Sequence, residues 1–334
     1  MSEKPDPLWD PELPGDAELD RLSSLLGAYR HVPKASPAWP ITRPSSAGRH
    51  KRRIALAAAA ALAACVAGIG AWIPWRLQWD PNRQWAIETN TPALPPALHV
   101  GQTLATMAGQ SATVRVARIG RMEVLPGTRV TLADTRAGHH RLALLEGRVR
   151  ARVWAPPGHF GITAGTSETI DLGCEFEMHR NLQGKGSLHV LSGWVMHRVN
   201  GQETLVPEGS VLAFDEARSG IPLASGATAA FRKSVEQLDQ AMSQGTRTPA
   251  LEAAIADQAT ASDRFALLTL LTRYPALASG PLYPRLSAMF DEPAPDPGHR
   301  KAWLHGSVHA MNQWWERLPR PPKAWWLQWR DALG

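Results

Sequence analysis

The residues able to do chemistry are few and scattered. Twelve histidines and two cysteines are spread over 334 residues. His139 and His140 are adjacent beside a glycine turn, and neighbours in a strand point to opposite faces. His189 and His197 would face each other across a hairpin at Ser192-Gly193, with His179 nearby. That is the one arrangement resembling a metal ligand set, and isolated histidines of this kind more often pack than ligate. Glu175 and Glu177 share a strand face, as acid-base carboxylates can, but so do ordinary exposed pairs. No HExxH, CxxC, phosphate-cradling glycine loop or GxSxG occurs. Cys65 and Cys174 cannot make a disulfide framework, and Cys174 reads as a small packing residue. The expectation is a protein without catalytic, cofactor-binding or metal-binding residues, one that works by binding.

The elements around these residues follow from composition. An apolar fraction of 44% and a charged fraction of 20% suit a packed core. The length allows about two domains, or one plus tails, and 28 Pro with 27 Gly imply long connections. The net charge of +6 could suggest nucleic acid. Part of that excess is the block Arg49–Arg53, which has a different explanation, so no nucleic-acid partner is expected.

That block precedes an uncharged apolar run from Ile54 to Trp75. About 20 helical residues cover a ~30 Å hydrocarbon core. Arg49, Lys51, Arg52 and Arg53 flank one end. Arg76 and Arg83, offset by Asp80, flank the other. The positive-inside rule then places the N-terminus in the cytoplasm. In a Gram-negative cell the bulk of the chain is periplasmic, anchored in the inner membrane by a single pass. Trp72, Trp75 and Trp79 would sit at the outer interface. The competing readings are a buried Ala-rich helix, a cleaved signal, and a lipobox at Leu62-Ala63-Ala64-Cys65. The long preceding segment and the apolar continuation past Cys65 argue against cleavage.

Residues 1–53 form the inner segment. Within 16–30, Leu19, Leu22, Leu25, Leu26 and Tyr29 follow a helical spacing that makes one apolar face. Asp16 is the expected N-cap, and a Pro/Ser-rich tether follows. A single helix cannot bury its own stripe in so short a segment. It is read as a docking helix for a partner groove, with a membrane-surface helix as the alternative. Residues 76–100 read as a juxtamembrane linker.

From 101 to 225 the apolar period changes to two. Val114/Val116, Val130/Leu132, Leu142/Leu144, Val149/Ala151/Val153, Leu188/Val190 and Val211/Ala213 alternate between Gly or Pro turns. This predicts an all-β solenoid or sandwich. Residues 226–334 then read as helical. Phe231, Val235, Leu238 and Met242 form one stripe, and further helices are expected at 251–256, 265–272, 282–290 and 302–315. A Trp-rich basic tail closes the chain and suits a core, a membrane interface or a partner.

The order of β motifs resembles the FecR domain, the periplasmic module of bacterial transmembrane sigma-factor regulators. The opening is RIGRMEVLPGTRV at 118–130, with Gly127 in its Pro-Gly step. LALLEGRVRARV at 142–153 resembles the Leu/Gly strand pair around Gly147. DLGCEFEM at 171–178 resembles the central element, with Leu172, Gly173, Cys174 and Phe176. VLSGWV at 190–195 resembles a hairpin at Gly193, and LVPEGSVLAF at 205–214 the close at Gly209. Cys174 stands where the family has Thr. These motif residues are read as structural, with Leu172 and Phe176 on one strand face.

The resemblance implies a mainly β protein with α elements. It would combine one transmembrane helix, a FecR-like β domain and a helical C-terminal region. It implies transmembrane signalling and transcription regulation by an anti-sigma-like hold on an extracytoplasmic-function sigma factor, with the leucine face as the docking surface. The alternative is a membrane-tethered periplasmic scaffold or cell-envelope binding module without a sigma partner.

Overall fold

A computed structural model describes residues 17–27, 75–89, 94–290 and 296–322, together with 58–59, 61–66, 68 and 72. The chain divides into two compact units, Met1–Ala67 and Gly68–Gly334. In the first, helix α1 spans Ala17–Leu26. Among the described residues no helix is long and apolar enough to cross a membrane. The apolar run lies partly outside them, and its described residues, 61–66 among them, are helical.

The second unit begins with strands. They are β1 (Trp85–Glu88), β2 (Ala97–Leu98), β3 (Thr103–Ala105), β4 (Ala112–Val116), β5 (Gly120–Val124), β6 (Arg129–Arg136), β7 (His139–Val153) and β8 (Phe160–Ala164). There follow β9 (Ser167–Asp171), β10 (Glu175–Arg180), β11 (Gly186–Ser192), β12 (Trp194–Val199), β13 (Gln202–Pro207), β14 (Ser210–Phe214) and β15 (Leu223–Ala224). One sheet runs β2-β1-β4-β5-β7-β10-β11-β14-β15 and the other β3-β6-β7-β8-β9-β12-β13. Only β7 and β8 pair in parallel among the described strands. A stack of parallel coils is therefore excluded, and of the two expected β architectures the sandwich is the one formed. Alternating residues of both sheets, such as Val114, Met122 and Phe176 from one and Leu132, Leu142 and Ile162 from the other, meet in one buried core.

Among the strands, three details differ from the expectations. The segment read as a linker contains β1 and β2, because Trp85 and Leu98 are fully buried and complete the core. The strand pair expected around Gly147 is one 15-residue strand. Its first half pairs with β6 and its second half with β5 and β10. Gly147 is the bend, with φ at +96°, and a Cβ there would lie 2.4 Å from the Thr128 backbone. The hairpin expected at Gly193 is not a hairpin either. β11 belongs to the first sheet and β12 to the second, and they do not pair. Gly193 carries the chain between the sheets, with φ at +76° and room for a Cβ blocked 2.6 Å away by the Gly173 carbonyl.

The helices are α2 (Ala229–Ser243), α3 (Pro249–Gln258), α4 (Arg264–Arg273), α5 (Leu282–Ala288), α6 (Pro297–Leu304) and α7 (Val308–Trp315). Thr228 caps α2 by accepting from the Phe231 amide. The stripe Phe231, Val235 and Leu238 is buried. The helix expected over 302–315 is two, because Gly306 adopts φ +76° and Ser307 caps the second. The helices cover the outer face of β9, β12 and β13. Leu205 packs against them while its neighbour Val206 faces the sandwich core. That part of the sheet is apolar on both sides, which ties the helical region to the β region through a second core.

A buried ion cluster closes the junction. Asp239 on α2 accepts from Arg273 at 3.1 Å, from Tyr274 at 2.8 Å and from Arg218. Arg273 also reaches the Ser219 carbonyl and Thr204, each at 3.0 Å. One carboxylate thus satisfies two guanidinium groups across three elements, the condition under which a buried charge is tolerated.

Candidate functional site

The first candidate surface is α1. Leu22, Leu25 and Leu26 are 54%, 67% and 57% exposed. Spacings of three and four put them on one side of the helix. Leu19 belongs to the same helix, while Asp16 and Tyr29 lie outside the described residues. Glu18 and Asp20 occupy the first turn, where negative charge complements the helix dipole.

The motif residues sit elsewhere and do a different job. Gly127, Gly147, Gly173, Gly193 and Gly209 all have positive φ. Each lies where the chain passes from one sheet to the other. Leu172 and Phe176 do not share a strand face. β9 ends at Asp171 and β10 starts at Glu175, so the turn between them sends Leu172 to the helix-side core and Phe176 to the sandwich core.

Asp171 holds that turn. Its Oδ1 accepts from the Cys174 amide at 3.0 Å and from the Cys174 thiol. Both residues are buried. Burial pushes the Asp171 carboxyl up to about 7, against the pull of hydrogen bonds from Cys174 and Gly173. Burial and the adjacent Asp171 push the Cys174 thiol well above its usual range. A thiol held protonated is a poor nucleophile, which fits a packing and capping role.

Among the described residues, the histidines His189 and His197 expected to face each other do not meet. His140 accepts or donates through Nδ1 to Thr135 at 2.8 Å, and Thr135 also accepts from the Trp85 indole at 3.0 Å. His197 is buried against Thr169 at 2.8 Å and lies 4.5 Å from the Phe214 ring. It lies in the second sheet and His189 in the first, so the expected facing pair is not formed. Burial lowers both His140 and His197 to about 4, so each is a neutral core residue at neutral pH. No cluster of three metal-binding side chains occurs among the described residues.

The sequence reading missed a second surface. A groove of about 720 Å³ is lined by Trp72, Trp75 and Trp154, and by Arg76, Arg115, Arg118, Arg121 and Arg152, with Glu88, Glu175 and Cys174. The Arg76 guanidinium lies 5.0 Å from the Trp72 ring and 4.6 Å from Trp154. Arg118 lies 4.1 Å over Trp75 and donates to its carbonyl at 2.8 Å. These cation–π contacts fold the end of the apolar run onto the sheet. The available signal was the alternation of Arg148, Arg150 and Arg152, whose polar face ends at Trp154.

A third, more apolar groove of about 540 Å³ lies between Trp194, Phe265, Leu318 and Pro319. Arg320 pairs with Glu208 at 2.6 Å along it. Trp314 and Trp315 belong to the helix-side core. Trp325, Trp326 and Trp329 lie outside the described residues.

No family model matches the chain, and no curated protein does. Two crystal structures from Parabacteroides distasonis, each described as that of a candidate anti-sigma factor, are partial neighbours. The 1.65 Å structure is 12% identical with a TM-score of 0.31. The match covers 35% of this chain and 57% of that one. The 2.50 Å structure is 13% identical with a TM-score of 0.32, covering 47% of this chain and 73% of that one. The chain thus spans little more than half the length of the first.

Proposed function

We propose that the protein is a FecR-like regulator, a single-pass inner-membrane protein that holds an extracytoplasmic-function sigma factor through α1. The observation carrying this reading is the exposed Leu22, Leu25 and Leu26 stripe. An apolar stripe open to solvent is the form of a helix that docks into a partner's groove. The motif order supports the family, and its five glycines stand at the sheet crossovers. The charge asymmetry around the apolar run supports an inner N-terminus. The β domain would then sense a periplasmic signal, and either a changed binding energy or cutting of the tether would release the partner. Moving a 1:99 equilibrium to 99:1 takes about 5.5 kcal/mol, so cutting is the less demanding route.

The test is affinity capture of the full chain from solubilised membranes beside a variant with Leu22, Leu25 and Leu26 changed to Asp. A sigma factor should accompany the first and not the second. Its absence from both would instead support a periplasmic scaffold without a sigma partner, a reading favoured by the open groove at Trp194 and Phe265.

A further inference from the structure

The arginine and tryptophan groove is built at an informative place. Its lining includes Trp75, the last residue of the uncharged run. If that run spans the bilayer, chain continuity alone sets the groove at headgroup depth. Five arginines line it against two glutamates. Arg115 pairs with Glu88, and Arg152 lies 3.7 Å from Glu175. Among the described residues, Arg76, Arg118 and Arg121 have no carboxylate partner. Arg76 and Arg118 instead lie against indole rings. Trp72, Trp75 and Trp154 remain 43%, 53% and 61% exposed.

Each part has a use at a lipid surface. Indoles favour the boundary between headgroups and acyl chains. Guanidinium groups make paired hydrogen bonds to phosphate oxygens. A guanidinium against an aromatic face still directs N–H groups outward from its edge; Arg118 gives one of them to the Trp75 carbonyl and has others left. We propose that this groove binds the phosphate headgroups of anionic phospholipids and so seats the β domain against the membrane. The proposal rests on the transmembrane reading of the apolar run. It adds a second, electrostatic contact between the sensing domain and the bilayer, one weakened by salt.

The test uses the full chain in nanodiscs of phosphatidylcholine mixed with phosphatidylglycerol. A photo-crosslinking residue replaces Ser192, exposed at the groove's lining, and adducts are identified by mass. The expected result is phosphatidylglycerol adducts several-fold above that lipid's share of the bilayer. The excess should fall to the bulk ratio in high salt and in an Arg118→Gln, Arg121→Gln variant. Adducts at the bulk ratio, or none, in a chain that resists carbonate extraction would overturn the lipid site alone. Extraction of the chain by carbonate would overturn the membrane reading and the lipid site with it.

Discussion

Two groups of tryptophans use the same side chain in opposite ways. Trp303, Trp314 and Trp315 are nearly or fully buried. They lie among other rings, with Trp303 and Trp314 5.6 Å apart and Phe265 5.2 Å from Trp315. Two of the polar edges are satisfied internally, the Trp303 indole by the Leu271 carbonyl at 2.9 Å and the Trp315 indole by Thr272 at 3.1 Å. Trp72, Trp75 and Trp154 stay half open; Trp72 and Trp154 lie 5.6 Å from each other, and a guanidinium group sits against the ring of each of the three. An indole surrounded by rings and apolar chains holds a core together. An indole facing arginine at a surface is fitted to a boundary. The partner of the ring, more than the ring itself, shows which job it has.

The largest expected effect separates the two groups by stability. Trp303→Ala should cost about 3–5 kcal/mol by leaving a cavity in a packed core. Trp154→Ala should cost under about 1 kcal/mol, as exposed substitutions do. Denaturant unfolding of both variants measures this, and equal losses would break the comparison.

The buried turn behind Cys174, which lines the groove, offers a smaller effect with a sign. Asp171 has its folded pKa raised to about 7 from 3.8. Its ionisation therefore costs the folded state nothing below the unfolded value. The penalty grows as pH rises from about 4 and is complete above about 7. A shift of that size corresponds to at most about 4 kcal/mol. His140 and His197, lowered to about 4, act the other way and lose stability as pH falls below 6.5. Comparing wild type with Asp171→Asn cancels the histidines. The variant should gain stability relative to wild type between pH 4.5 and pH 8. A gap independent of pH would mean that Asp171 titrates normally.

The smallest effect concerns Arg118. Arg118→Gln removes a cation–π contact worth about 0.5–2 kcal/mol and the bond to the Trp75 carbonyl. Amide exchange should quicken around residues 75–79 while the helical region keeps its protection. Unchanged exchange there would show that Trp75 is held by packing alone.

Much of this fold is legible in the sequence, because burial imposes a period. Period two exposed the strands from Val114 to Val211, and the Phe231, Val235 and Leu238 spacing exposed α2. The connections were less legible. Gly147 and Gly193 announce positive φ, but a local signal cannot tell a hairpin from a passage between sheets. Only the pairing partners of β7, β11 and β12 decide that. β1 was hidden because four residues, Trp85–Glu88, are too short for a periodic signal. The leucine stripe was plain at Leu22, Leu25 and Leu26. The groove was not, because Arg76, Arg118 and Trp154 are far apart in sequence and meet only after folding.

The proposed function depends most on a membrane separating α1 from the β domain, which is the part of the proposal to test first. Single cysteines at Ser24 and Met107 test it directly, with Cys65→Ala removing the exposed native thiol and Cys174 left buried. Met107 is 72% exposed in the β region. Spheroplasts are treated with a membrane-impermeant maleimide before and after permeabilisation. The account predicts labelling of Met107→Cys in intact spheroplasts and of Ser24→Cys only after permeabilisation. Equal labelling of both sites in intact spheroplasts would contradict it.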